Sequence, residues 1–131
     1  PNSIAVDNNG NAYVCGSYKT TLAAGNLNIS TSNIFVESFV LSIDANGNFI
    51  WAKSLNGNGN NTATGVAFNN QGGISVCGYF GNRLSIDTVQ LNTSSPSYDI
   101  YLASFDAAGN LNWMRKAGSS AEDQAYAVTC D

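Results

Sequence analysis

Along most of this chain apolar and polar residues alternate with a period of two, and Asn, Asp and Gly break the alternation at short intervals. Residues 3–7 (S-I-A-V-D) form the first such run, and Asn8-Asn9-Gly10 supplies residues that tolerate the left-handed backbone of a hairpin turn. Residues 11–17 return as its partner. Residues 35–44 predict a third strand, 45–48 a turn, and 49–55, around Trp51, a fourth. Between the second and third strands, 18–34 are rich in Thr, Ser, Asn and Gly with scattered Leu22, Leu27 and Ile29, which predicts an excursion holding one extra short strand. Residues 56–64 read as a loop. No stretch sustains a 3.6-residue apolar spacing over three turns, so no helix is predicted.

The same order then begins again. Residues 5–16 return as 67–78, 62 positions on, followed by an excursion over 80–97 and strands near 98–106 and 111–117. Leu22/Leu84, Ser42/Ser104, Asp44/Asp106, Gly47/Gly109, Asn48/Asn110 and Trp51/Trp113 are identical at that step. The step also carries Val66 to Val128, so residues 128–131 open a further copy. The expected fold class is all-β: two tandem four-stranded antiparallel blades of a β-propeller with a 62-residue repeat, plus the first strand of a third blade. Blade 1 spans 3–64, blade 2 spans 65–126, and 127–131 start the third. A β-solenoid is the alternative, though its rungs are usually shorter and lack Asp-x-x-Gly hairpins. Opening at Pro1 and ending inside a repeating hairpin are expected of an excerpt from something longer.

Composition narrows the function. Of 131 residues 44% are hydrophobic, enough for a core, but only 11% are charged, where about 25% is usual. A surface made polar by Asn, Ser, Thr and Gly suits an extracellular or cell-surface location. The net charge of −4 leaves no basic stripe for phosphates, so nucleic acid is not an expected partner. No apolar run approaches the ~18 residues of a spanning helix, and no membrane insertion is expected. Cys15 and Cys77 occupy matching places in neighbouring sheets, about 10 Å apart and beyond the ~7 Å reach of a disulfide, so both are expected as small buried hydrophobes.

The pattern I-A-V-D-x-x-G-N-x-Y-V-x-G from Ile4 to Gly16, with D-x-Y-L-A-x-F-D-x-x-G-N-x-x-W from Asp99 to Trp113, resembles the SBBP family of β-propeller repeats of large secreted bacterial proteins. Cys15 and Cys77 stand where such repeats often carry Thr, and Glu37 replaces the Asp seen at Asp99. The resemblance implies a scaffold or interaction platform and no catalytic residue. Propellers need about four to eight blades, and two cannot close a ring. Either the parent chain contributes the others, which is the reading adopted, or several copies of this chain assemble.

Polar residues that recur at the step of 62 belong first to the blade: Asp44/Asp106, Glu37/Asp99, Lys53/Arg115 and the Asp7/Asn69/Asp131 series. Asp44 and Asp106 are expected to accept bonds from turn amides. Calcium loops at 7–11 and 44–48 are the rival reading, weakened because Asp106-Ala107-Ala108-Gly109 lacks the middle oxygen; no metal and no cofactor are expected. Lys19, Arg83, Asp87, Glu122 and Asp123 do not recur and lie in excursions or in the loop after the fourth strand, expected on one face around the channel mouth. They are the candidate ligand- or partner-binding residues, for protein or glycan. With no His, no nucleophile elbow and no zinc spacing, no enzyme is expected. A lectin assembled from several copies is the alternative. Trp51 and Trp113 could stack on sugars, but their recurrence favours packing between blades.

Overall fold

The computed structural model describes residues 1–94 and 96–131, and the regular elements among them are all strands. The first six are β1 (Ser3–Val6), β2 (Ala12–Tyr18), β3 (Thr21–Ala24), β4 (Leu27–Ser30), β5 (Glu37–Ile43) and β6 (Phe49–Gly57). The next six follow as β7 (Asn61–Phe68), β8 (Ile74–Gly81), β9 (Arg83–Ile86), β10 (Val89–Asn92), β11 (Tyr98–Phe105) and β12 (Leu111–Ala117). Two antiparallel sheets result, ordered β1-β2-β5-β6 and β7-β8-β11-β12, each with its excursion folded into a hairpin, β3–β4 or β9–β10.

Four turns of one kind join the strands. In each, an Asp or Asn carbonyl accepts from the Gly three residues on, as Gly10 N donates to Asp7 O (3.1 Å) and Gly47 N to Asp44 O (3.0 Å). Gly72 N to Asn69 O (3.1 Å) and Gly109 N to Asp106 O (3.0 Å) repeat the geometry. The glycine φ lies between 84° and 89° in all four, which is why Asx-x-x-Gly, and not Asx alone, is the readable signal.

Strand alternation feeds two cores. On β5, Val40 enters a cluster with Tyr13, Cys15 and Leu55, whereas Phe39 and Leu41 point the other way to meet Tyr18 and Ala24. The first cluster is completed by the second sheet, through Ile74, Val76, Phe80, Tyr101, Phe105 and Met114. The sheets therefore stack face to face. The second cluster is covered by the β3–β4 hairpin through Leu22, Leu27 and Ile29.

The structure departs from the sequence reading in three places. Each excursion carries two short strands rather than one, because Leu22, Ile29, Leu84 and Leu91 need a hairpin to face their core together. The stretch read as a loop over 56–64 shrinks, since β6 runs on to Gly57 and β7 starts at Asn61. The cause is tertiary: Asn56 and Gly57 pair with Ser85 and Leu84 of β9, so the second hairpin extends the first sheet. Finally, 127–131 form no regular strand: Ala127 and Val128 lie against Gly65 of β7, but no ladder forms. The residues just before it are held by single bonds, Asp123 N to Tyr98 O (2.8 Å) and Thr64 Oγ1 to Ala125 O (2.7 Å).

Candidate functional site

Each of the five candidate residues has its own surroundings. Lys19 is exposed at the turn between β2 and β3. Arg83 opens β9 beside a small hollow of about 290 Å³ shared with Asn33, Asn56, Gly57, Asn58 and Ser85. Asp87 sits at the tip of the β9–β10 hairpin with both carboxylate oxygens on Lys53 Nζ, at 3.1 and 3.0 Å. That pair ties β9–β10 to β6 on the outer edge. Glu122 is exposed in the tail, and Asp123 Oδ2 accepts from Ser119 N (2.7 Å) and Ser119 Oγ (3.0 Å). Among the described residues no hydrogen bond or ion pair joins any two of the five.

The turn carboxylates are occupied by their own backbone. Asp44 Oδ1 accepts from Asn46 N (2.9 Å) and Asn48 N (2.8 Å), and its Oδ2 from Asn48 Nδ2 (2.9 Å). Asp7 repeats this with Asn9 and Asn11, and Asp106 with Asn110. Asn69, a neutral amide, fills the same role toward Gln71 N and Gly73 N. In all four turns the side-chain oxygen of the Asp or Asn is engaged by N–H groups of its own turn.

The richest constellation is the seam between the sheets. At its inner edge Asn2 Nδ2 donates to Ala63 O (2.8 Å) and Val66 N to Ser3 Oγ (3.2 Å). Tyr101, 1% exposed, donates its hydroxyl to Ser38 Oγ (3.3 Å) across the core. At the outer edge the Trp51 indole N–H donates to Ala107 O at 2.9 Å, and its ring lies so close to Gly109 that a Cβ there would meet it at 2.8 Å. Tyr13 stands beside Trp51 and stacks on Phe68, 6.3 Å between centroids in each case.

Two carboxylates are buried at matching positions, and sequence reading gave them no partners. Glu37 accepts from Asn33 Nδ2 (2.8 Å) and Asn61 Nδ2 (2.6 Å), while Asn61 Oδ1 accepts from Ser38 N (2.6 Å). Asp99, equally buried, takes Lys116 Nζ at 2.8 Å. Asn61 lies 24 residues from Glu37, and no local pattern signals a pair formed by tertiary packing. Both thiols of the matched cysteines are free and buried. Burial pushes the Cys15 thiol up to about 12, with the nearby Cys77 adding to it, so it is a packing group and not a nucleophile.

The β1–turn–β2 hairpin, with its Asp7 cap and inward Tyr13 and Cys15, is the segment on which comparison with known proteins turns. Residues 1–17 match SBBP, a β-propeller repeat. No curated protein matches the chain at a significant level. The SBBP match covers β1, the Asp7 turn and β2 up to the residue before Tyr18, and it supports the family resemblance drawn from Ile4–Gly16. An all-β chain of antiparallel sheets without helix among the described residues agrees with such a repeat.

An open hollow lies beside Tyr98. About 520 Å³ in volume, it is lined by Asn60, Asn82, Thr93, Ser94, Pro96 and Tyr98 among others, neutral polar groups beside an aromatic ring.

Proposed function

We propose that this chain is a non-enzymatic β-propeller segment of a larger secreted or cell-surface bacterial protein, serving as a structural scaffold and interaction or adhesion platform. On this reading residues 3–64 and 65–126 are two blades at a 62-residue step, and 127–131 lead into a third. The observation that carries it is the seam: Trp51, Tyr101 and Ser38 spend their polar groups on holding one sheet to the next. The matched carboxylates serve turns, and the matched thiols are buried. Scaffolding needs those properties, and catalysis needs others: a base and an acid free to meet a substrate. The working surfaces are then the loops at the rim, with other blades as the first partners and protein or glycan beyond them. Nucleic acid fits poorly with a chain of net charge −4.

A second reading, a glycan-binding propeller, is favoured by the 520 Å³ hollow, whose asparagines and Tyr98 are the groups that hold and stack on sugar rings. Its counterpart residues in the first sheet include Lys19, Ile34 and Val36, so the hollow is not one pocket per blade. A glycan array probed with the complete protein decides between the two. Silence across a broad array is expected of the scaffold, and binding lost on Tyr98→Ala would establish the lectin.

A further inference from the structure

Most side-chain cations of this chain have a settled place. Lys53 Nζ holds both oxygens of Asp87, Lys116 Nζ meets Asp99 at 2.8 Å, and Arg115 Nη1 donates to Met114 O at 3.0 Å. Lys19 is exposed to solvent. Arg83, at the start of β9, is different. It is half-buried, its Nε is shut away from solvent, and among the described residues its guanidinium makes no hydrogen bond or ion pair. The carboxylates on neighbouring elements are already taken. Asp87 of the same hairpin is on Lys53, and Glu37 accepts from Asn33 Nδ2 and Asn61 Nδ2. A buried N–H without an acceptor bears its full desolvation cost, so such a group calls for a partner from outside the chain.

Arg83 lines the hollow of about 290 Å³ with Asn33, Asn56, Gly57, Asn58 and Ser85. Its walls are the end of β6, the start of β9 and the segment between β4 and β5, with neither chain terminus among them. The frame is fixed. Asn56 and Gly57 pair with Ser85 and Leu84, Asn58 N donates to Arg83 O at 3.3 Å, and Asn33 Nδ2 donates to Gly57 O at 3.0 Å. Asn56 Oδ1 accepts from Ser54 Oγ at 2.7 Å, which leaves its amide N–H groups unspent. The side chains of Asn58 and Ser85 make no bond among the described residues. Donors are in excess, and the ligand that fits is one that only accepts: a carboxylate, whose two oxygens match the guanidinium fork. Four of these walls do not recur, since Asn56, Asn58, Arg83 and Ser85 have Gly118, Ser120, Thr21 and Ala23 at the step of 62. The repeat does not need them.

We infer that the Arg83 hollow receives a single carboxylate side chain, Asp or Glu, from a protein that docks on this rim. This rests on the reading of the chain as an interaction platform. The walls favour a protein over a glycan, because no aromatic ring lines the hollow for a sugar to stack on and its volume suits a side chain rather than a run of rings. A net charge of −4 repels a strongly acidic partner, so the fit is to one carboxylate presented among neutral residues.

Saturation-transfer NMR on the complete protein tests this, with a capped Gly-Glu-Gly peptide as probe and capped Gly-Gln-Gly, galacturonate and methyl phosphate beside it. Transfer to the Glu peptide is expected to saturate in roughly the millimolar range, as for one charge-assisted pair, with none to the Gln peptide. Arg83→Gln should abolish it. Arg83→Lys, which keeps the charge and loses the fork, should weaken it about fivefold or more. Circular dichroism checks that the variants fold, and Arg83→Lys carries the test should Arg83→Gln not fold. No transfer to either peptide, equal transfer to both, or transfer indifferent to Arg83 would overturn the site. Tighter binding of galacturonate or methyl phosphate would overturn it too, assigning the hollow to an acidic sugar or a phosphate. The platform reading fails separately, through glycan binding lost on Tyr98→Ala.

Discussion

The Asp44 carboxyl takes three N–H donors from the two asparagines that follow it, and the Asn48 side chain and backbone hold it below the usual carboxylate range. Asn110 does the same for Asp106. At Asp7 burial pushes the carboxyl up, but the bonds from Asn11, Asn9 and Tyr13 outweigh it and the net shift is downward. A carboxyl with its folded-state value depressed contributes stability that is in place above its ordinary value near 4 and is lost as pH falls through the folded value. Urea midpoints should therefore hold from neutral pH down to about 5 and then decline. Asp44→Asn with Asp106→Asn should flatten that decline while preserving the turns, because Asn69 already makes the same bonds without a charge. An unchanged acid limb in the double variant would contradict the assignment. The thiols behave in the opposite sense. With its value raised, Cys15 contributes stability that is complete below the ordinary thiol range and is lost as pH climbs toward about 12. In the native chain at pH near 8 an aromatic disulfide reagent should modify Cys130, which is half-buried, and leave Cys15, fully buried, closed until unfolding. Equal rates for the two would show that the sheet opens locally.

At the scale of elements, the strands were legible wherever an Asx-x-x-Gly turn punctuated an alternating run. Residues 111–117 were read as a strand and β12 is Leu111–Ala117. Legibility failed where a strand owes its length to a distant neighbour. Asn56 and Gly57 look like loop residues in sequence, and only β9, almost thirty residues on, makes them the end of β6. Asn61 was hidden for the same reason. Polar and flanked by Asn60 and Thr62, it reads as a loop residue, yet it is fully buried and begins β7 by satisfying Glu37 and Ser38 N together. Asn61→Ala strips a donor from a buried carboxylate and an acceptor from a buried amide, so a loss of roughly 2–4 kcal/mol is expected in equilibrium unfolding. A loss under about 1 kcal/mol would mean that solvent reaches the node. Asp87 was singled out because it does not recur at the step of 62, and the structure gives it Lys53, on another strand, at 3.0 Å.

At the scale of the molecule, two stacked sheets share one core, and the β3–β4 hairpin covers a second cluster on the other face of the first sheet. The repetition that made the architecture readable also explains why function was not: the recurring polar residues, such as Asp44 and Asp106, serve their own turns and carry no ligand signal. Each sheet of this kind buries both faces only between neighbours, so the chain's stability should concentrate in the seam it possesses. Trp51 and Trp113 permit a direct comparison, being the same residue type at matching positions, one seated on Gly109 and Ala107 and the other 39% exposed. The decisive measurement is equilibrium urea unfolding of Trp51→Ala beside Trp113→Ala at a dilution where single chains prevail. Trp51→Ala is predicted to cost about 3 kcal/mol, the loss of a packed indole, and Trp113→Ala less than about 1 kcal/mol. Equal costs for the two tryptophans would contradict the seam, and with it the reading of the chain as packed propeller blades.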